Sequence, residues 1–156
     1  MIISSPRLAV FPGTFDPLTL GHVDLVLRAL PLFDEIHLAI GLHAGKQPMF
    51  SIEHRMQWIR ETFAAYPTVK THTYEGLTVH FCRQIGARFL VRGIRNTQDF
   101  EYEKAIADMN RTQAPEIETI FLSCSPVYTS LSSTLVRDIL RHGGDLNGLL
   151  PEAVRF

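Results

Sequence analysis

Residues 13–22 read Gly-Thr-Phe-Asp-Pro-Leu-Thr-Leu-Gly-His, between an apolar run (Leu8, Ala9, Val10, Phe11) and a helical repeat of Val23, Val26, Leu27 and Leu30. An apolar run, a glycine turn and a 3.6-residue period make a strand, a loop and a helix within thirty residues. Pro12 and Gly13 give the strand a sharp exit, and Gly13 lets the backbone approach a ligand closely. Thr19 suits the helix N-cap, which leaves the amides near Gly21 and His22 facing open space. Free amides at the positive end of a helix dipole form an anion site. The hydroxyl of Thr14 and the imidazole of His22 lie on the same side, so the expected anion is a phosphate.

The rest of the chain repeats that unit. Ile36, His37, Leu38, Ala39 and Ile40 predict a second strand, followed by a loop over residues 41–50 that carries Lys46. Ser51 caps a helix whose apolar face is Ile52, Met56, Ile59 and Phe63. A third strand spans residues 69–74, and Gly76 leads to a short helix with Val79, Phe81, Cys82 and Ile85. Gly86 closes that helix. Phe89, Leu90 and Val91 form a fourth strand running into Arg92, Gly93, Ile94 and Arg95. Asp99 is the expected cap of a long helix to about Thr112. Residues 119–122 make a fifth strand, residues 129–133 open another helix, and Pro151 starts a last short one.

Near-continuous apolar strands alternating with helices predict an α/β fold, a Rossmann-like doubly wound five-stranded parallel sheet. The length of 156 residues suits one domain over residues 1–156. A net charge of −1 provides no basic field, so no nucleic-acid partner is expected. The two cysteines, Cys82 and Cys124, read as buried free thiols without metal or disulfide spacing. Neither a leader pattern nor an apolar run long enough for a membrane span is evident, which predicts a cytoplasmic protein and no membrane partner.

In a parallel sheet, ligands bind beyond the carboxyl ends of the strands. The 14–22 loop, Lys46, Thr78, residues 92–95 and residues 128–134 all follow strands, so they can converge on one rim. Arg92 and Arg95 offer forked donors that match phosphate oxygens. Ser130, Leu131, Ser132, Ser133 and Thr134 place hydroxyls at a helix start, which suits either a phosphate or a plain cap. Lys46 alone is an ordinary loop lysine. Asp99 and Glu103 lie one helical turn apart and can face the same rim.

The order of these motifs resembles that of the bacterial phosphopantetheine adenylyltransferase family, in the nucleotidyltransferase superfamily. The motifs are residues 13–22, then Lys46, Gln47, Pro48, Met49 and Phe50, then Arg92, Gly93, Ile94 and Arg95. Asp99 through Glu103, Met109, Asn110 and Arg111, and Leu131 through Thr134 complete the series. The resemblance implies transfer of AMP from ATP to 4′-phosphopantetheine, giving dephospho-coenzyme A and pyrophosphate. It also implies Mg2+, a homohexamer and feedback by coenzyme A. By that resemblance, Thr14 contacts both substrates and His22 stabilises the transition state. Lys46 and Arg92 hold the acceptor phosphate, and Thr78 lies near the pantetheine arm. Phe15, Gly93, Ile94, Arg95, Glu103, Tyr128, Thr129, Ser130, Leu131, Ser132, Ser133 and Thr134 serve ATP. Two positions depart from the family pattern: Thr134 stands where a third serine is usual, and Thr78 where an apolar residue is common.

Such a reaction needs no general base, because a phosphate monoester is already largely dianionic near neutral pH. The difficulty is bringing a dianion to a triphosphate, and His22, Lys46, Arg92 and Arg95 form a suitable stabilising set. No acidic metal cage is expected from the protein. The competing readings are a nucleotidyltransferase acting on another phosphate acceptor, such as nicotinamide mononucleotide, and a noncatalytic nucleotide-binding regulator.

Overall fold

The computed structural model describes residues 5–42 and 47–156; the predicted phosphate ligand Lys46 lies outside the described residues. Ten main elements alternate along the chain: β1 (Leu8–Gly13), α1 (Leu20–Ala29), β2 (Glu35–Gly41), α2 (Ile52–Thr62), β3 (Val69–Tyr74), α3 (Thr78–Ile85), β4 (Phe89–Ile94), α4 (Thr97–Gln113), β5 (Glu118–Ser123) and α5 (Ser133–Arg141). The strands form one sheet in the order β3-β2-β1-β4-β5, and all neighbours are parallel. The expected α/β, Rossmann-like five-stranded sheet is therefore present.

Helices cover both faces, as the unbroken apolar strands require. Ala9, Phe11, Ile36, Leu38, Ile40 and Val91 pack with Leu25 and Val26 of α1 and Met56 and Ile59 of α2. Their neighbours Val10, Ala39 and Leu90 face the other way, against Val79, Phe81 and Cys82 of α3. His37 is also inside, with its ring stacked on His72 and Nδ1 2.9 Å from His72 Nε2.

The chain reverses direction across the sheet between β1 and β4, which is the usual place for a ligand crevice. Here the two strands also part. Ala9 pairs with Phe89 and Val10 with Leu90, and the register ends there. By contrast, β1 and β2 stay paired from Leu8 to Gly13. Beyond Leu90 the gap opens into a cleft.

Several predicted boundaries move. β4 continues through Arg92, Gly93 and Ile94, so these residues lie in the strand and not after it. The cap of α4 is Asn96, whose Oδ1 accepts the Asp99 amide at 2.9 Å; Asp99 sits in the first turn. A turn of 3-10 helix at Pro126–Tyr128 precedes α5, which starts only at Ser133 with Ser132 as cap. The segment after Pro151 is a turn closed by the Val154 amide on the Pro151 carbonyl, too short for a helix. Cys82 is buried as expected, but Cys124 is only half-buried. Among the described residues, no helix is long and apolar enough to cross a membrane.

Candidate active site

The signature loop is held from inside. Phe15 has φ 45°, an uncommon conformation for a side chain of its size, and its ring is fully buried. That ring sits edge-on to His22, with centroids 5.1 Å apart. A Cβ at Gly13 would lie 2.9 Å from the Phe15 ring, so glycine here makes room for phenylalanine. Asp16, also buried, accepts the Met49 and Phe50 amides at 2.9 Å each, tying residues 49–50 to the loop. Arg55 of α2 completes the join by donating to the carbonyls of Thr14 at 2.8 Å and Phe50 at 3.0 Å.

His22 has two tasks in one set of contacts. Thr19 caps α1, its hydroxyl accepting the His22 amide at 3.4 Å. In return the Thr19 backbone N–H donates to His22 Nδ1 at 3.0 Å. The His22 amide is therefore occupied, and so is that of Leu20, which donates to the Leu149 carbonyl. The predicted set of open amides is correspondingly smaller. Removal from water, then the charges of Arg95 and Arg92, lowers the His22 pKa to about 4. The ring is neutral near pH 7, Nδ1 accepts from Thr19, and the proton is assigned by this pattern to Nε2.

Across the gap, two arginines of the β4 end are paired with α4. Arg92 donates through Nε and Nη2 to the two oxygens of Glu103 at 2.6 and 2.5 Å, and through Nη1 to the Pro12 carbonyl at 2.6 Å. Arg95 donates to Asp99 at 2.8 and 3.2 Å, an ion pair that raises the Arg95 pKa and lowers that of Asp99. Between them, a Cβ on Gly93 would be 2.3 Å from Cδ1 of Leu25, so that buried side chain would have to shift. Close helix–strand contact therefore bears on this glycine, which also lies in the cleft wall.

Together these groups line a cleft of about 510 Å³. Of the residues predicted from sequence, Thr14, Phe15, His22, Thr78, Arg92, Gly93, Arg95, Glu103, Tyr128, Leu131, Ser132 and Ser133 are in its wall. Ile94, Thr129, Ser130 and Thr134 are not. The Thr129 hydroxyl donates to the Pro126 carbonyl, and that of Thr134 accepts from Arg137. Ser133 donates to the Pro17 carbonyl at 2.8 Å and Ser132 caps α5, so both hydroxyls already have protein partners. Thr78 Oγ1, also in the wall, is 2.8 Å from the Tyr74 hydroxyl.

The acidic groups of the cleft do not fit a protein-held metal ion, because Asp99 and Glu103 are each engaged by an arginine. Among the described residues, no group of three or more His, Cys, Asp and Glu is placed for metal binding. What the cleft offers is a neutral imidazole donor beside two guanidinium groups. That arrangement favours an anionic ligand and stabilises charge developing on it.

Residues 10–139 match the cytidylyltransferase-like family. The chain is 54% identical over 149 residues to the phosphopantetheine adenylyltransferase of Flavobacterium psychrophilum, covering 96% of this chain and 98% of that protein. Identity is 52% to the enzyme of the same name from Flavobacterium johnsoniae and 51% to that of Christiangramia forsetii, again over 96% of this chain and 97–98% of theirs. The chain belongs to the phosphopantetheine adenylyltransferase family. It is thus an enzyme, a nucleotidyltransferase. Within that family assignment, the sequence reading missed three supports of the site: the Asp16 and Arg55 ties to residues 49–50, the Thr19 bond to His22 and the Arg92–Glu103 pair. A carboxylate in the middle of the signature loop was the available signal for the first. The others depend on contacts made only once the chain is folded.

Proposed function

We propose that this enzyme transfers the adenylyl group of ATP to 4′-phosphopantetheine, releasing pyrophosphate and forming dephospho-coenzyme A, a step of coenzyme A biosynthesis. The observation that carries the reading is the gathering of His22, Arg92 and Arg95 in one cleft, where β1 and β4 part. The names of the close relatives support the same reaction.

In this reading an oxygen of the acceptor phosphate attacks the α-phosphorus of ATP. The new P–O bond forms as the bond to the bridging oxygen breaks, and pyrophosphate carries away the electron pair. The attacking oxygen carries no proton to remove, so the protein's work is positioning and charge stabilisation. Arg92 and Lys46 receive the acceptor phosphate, with Thr78 along the pantetheine arm. Thr14 touches both substrates. Arg95, the strand end at Gly93, Tyr128 and residues 131–133 receive ATP as its magnesium complex. Nε2–H of His22 donates to the α-phosphate, where charge builds.

We also propose a homohexamer, feedback by coenzyme A and a cytoplasmic location, as the family resemblance implies. The oligomer is supported by α4, which has no buried residue and exposes Tyr102, Ile106 and Met109 along one stripe. The test is product analysis. ATP labelled at its α-phosphate and 4′-phosphopantetheine should yield labelled dephospho-coenzyme A; label that stays in ATP would contradict the assignment.

A further inference from the structure

Tyr74 ends β3 and is buried. Its ring lies on that of Phe81 in α3, with centroids 5.1 Å apart and planes 19° from parallel. Its carbonyl accepts the Leu42 amide at 2.8 Å, and its backbone pairs with Gly41 of β2. Ring and backbone are both fixed, and with them the place of the phenol oxygen. After a turn at Gly76, whose φ is 77°, the chain returns Thr78 to it, with Oγ1 2.8 Å from the phenol oxygen.

Thr78 is the first residue of α3, where a hydroxyl is often used to start the helix. Here it is not: the N-cap is Leu77, and no side-chain bond caps α3. Among the described residues, the Tyr74 and Thr78 hydroxyls are each other's hydrogen-bond partners, and both residues line the cleft. Two hydroxyls that share one bond leave one O–H unspent. The phenol is the more acidic of the two, which assigns it as the donor to Thr78 Oγ1. The Thr78 O–H then remains as a donor for a ligand in the cleft.

The pantetheine arm carries amide carbonyls, which need donors once they leave water. We propose that Tyr74 is a positioning residue for the acceptor: its phenol O–H holds the Thr78 oxygen, so that the Thr78 O–H meets an amide carbonyl of the pantetheine arm. This rests on the functional reading above, in which Thr78 lies along that arm. Neutral hydroxyls suit the uncharged part of the acceptor, as guanidinium groups suit its phosphate.

Tyr74→Phe removes the hydroxyl and keeps the ring on Phe81. It should raise the KM for 4′-phosphopantetheine about 2- to 10-fold, the worth of one neutral hydrogen bond, with the KM for ATP unchanged and kcat little affected. Thr78→Val should raise the same KM, and Thr78→Ser, which keeps the hydroxyl, should recover most of that loss. In the Thr78→Val background, Tyr74→Phe should add no further loss, because the group it positions is gone. A general packing role would not give this pattern, and circular dichroism with thermal melts shows that each variant compared is folded. A raised KM for ATP with the acceptor KM unmoved would overturn the inference, as would multiplied losses in the double variant. Wild-type enzyme that turns over no 4′-phosphopantetheine would overturn the functional reading together with the inference. Active wild type with an unmoved acceptor KM in Tyr74→Phe overturns the inference alone.

Discussion

Thr19 and His22 close a reciprocal pair: the hydroxyl of Thr19 accepts the His22 amide, and the Thr19 N–H donates to Nδ1 of the His22 ring. The bonds that start α1 are the same bonds that fix the imidazole. A helix cap alone is worth about 1 kcal/mol; here it also decides which ring nitrogen faces a ligand as a donor. The depressed pKa, about 4, keeps that donor neutral.

His22→Ala should therefore lower kcat more than it raises the KM for ATP. By comparison with lost oxyanion donors, the fall in kcat is about 10²–10³. His22→Asn should regain part of the rate if its amide reaches the Nε2 position. Steady-state kinetics at saturating acceptor measures both. A raised KM with unchanged kcat would mean that His22 only binds ATP.

The two arginines should divide the substrates. Arg95→Ala chiefly weakens the use of ATP and Arg92→Ala that of the acceptor, each by about 10- to 150-fold from the loss of a charge-assisted contact. Titrating each substrate at saturation of the other reads the division. Equal effects of both variants on both substrates would contradict it.

Gly93→Ala tests the packing between β4 and α1. The new methyl would meet Leu25 Cδ1 at 2.3 Å, and overpacking of this kind costs about 1–3 kcal/mol. Chemical denaturation should show that loss, and Leu25→Ala in the same chain should make the combined cost less than additive. Additive losses would show that the two side chains do not compete for the same space.

Much of this was legible in the sequence. Strand, loop and helix in residues 8–29 follow from period and turn chemistry; Thr19 and Ser51 open their helices and Gly86 closes its own where local rules place them. The rule that puts ligands at strand ends brought Thr14, His22, Arg92 and Arg95 to one rim. What the sequence left undecided is set across the fold. The extension of β4 through Arg92 depends on six pairs with β5, from Phe89 to Ile94. Asn96 displaces Asp99 as cap because Asp99 is drawn back onto Arg95. Gly93 lies in the cleft wall, and its contact with Leu25 of α1 is set by an element distant in the chain. His37 sits inside because His72, on the next strand, supplies a ring to stack on and a nitrogen to share a proton with.

Acid should destabilise the fold. Burial, then His72, lowers the pKa of His37; burial lowers that of His72; and Glu35 opposes both shifts. His22 is lowered to about 4. In each case the unfolded chain binds the proton first, near pH 6.5, while the folded chain resists it. Their stability is thus fully present above about pH 6.5 and is lost as pH falls through the folded-state values. Melting temperatures at pH 7.5 and 5 should show this decline, and His72→Phe should make it smaller. A melting temperature that is flat across this range would contradict the assignment of three neutral imidazoles.

Pyrophosphate release from ATP, measured with 4′-phosphopantetheine, with pantetheine lacking the phosphate and with nicotinamide mononucleotide, tests the central claim most directly. The proposed reaction predicts rapid release with 4′-phosphopantetheine alone, because in it the acceptor's phosphate is both the group held by Arg92 and the nucleophile. Equal release with pantetheine, faster release with nicotinamide mononucleotide, or ATP binding without release would contradict it.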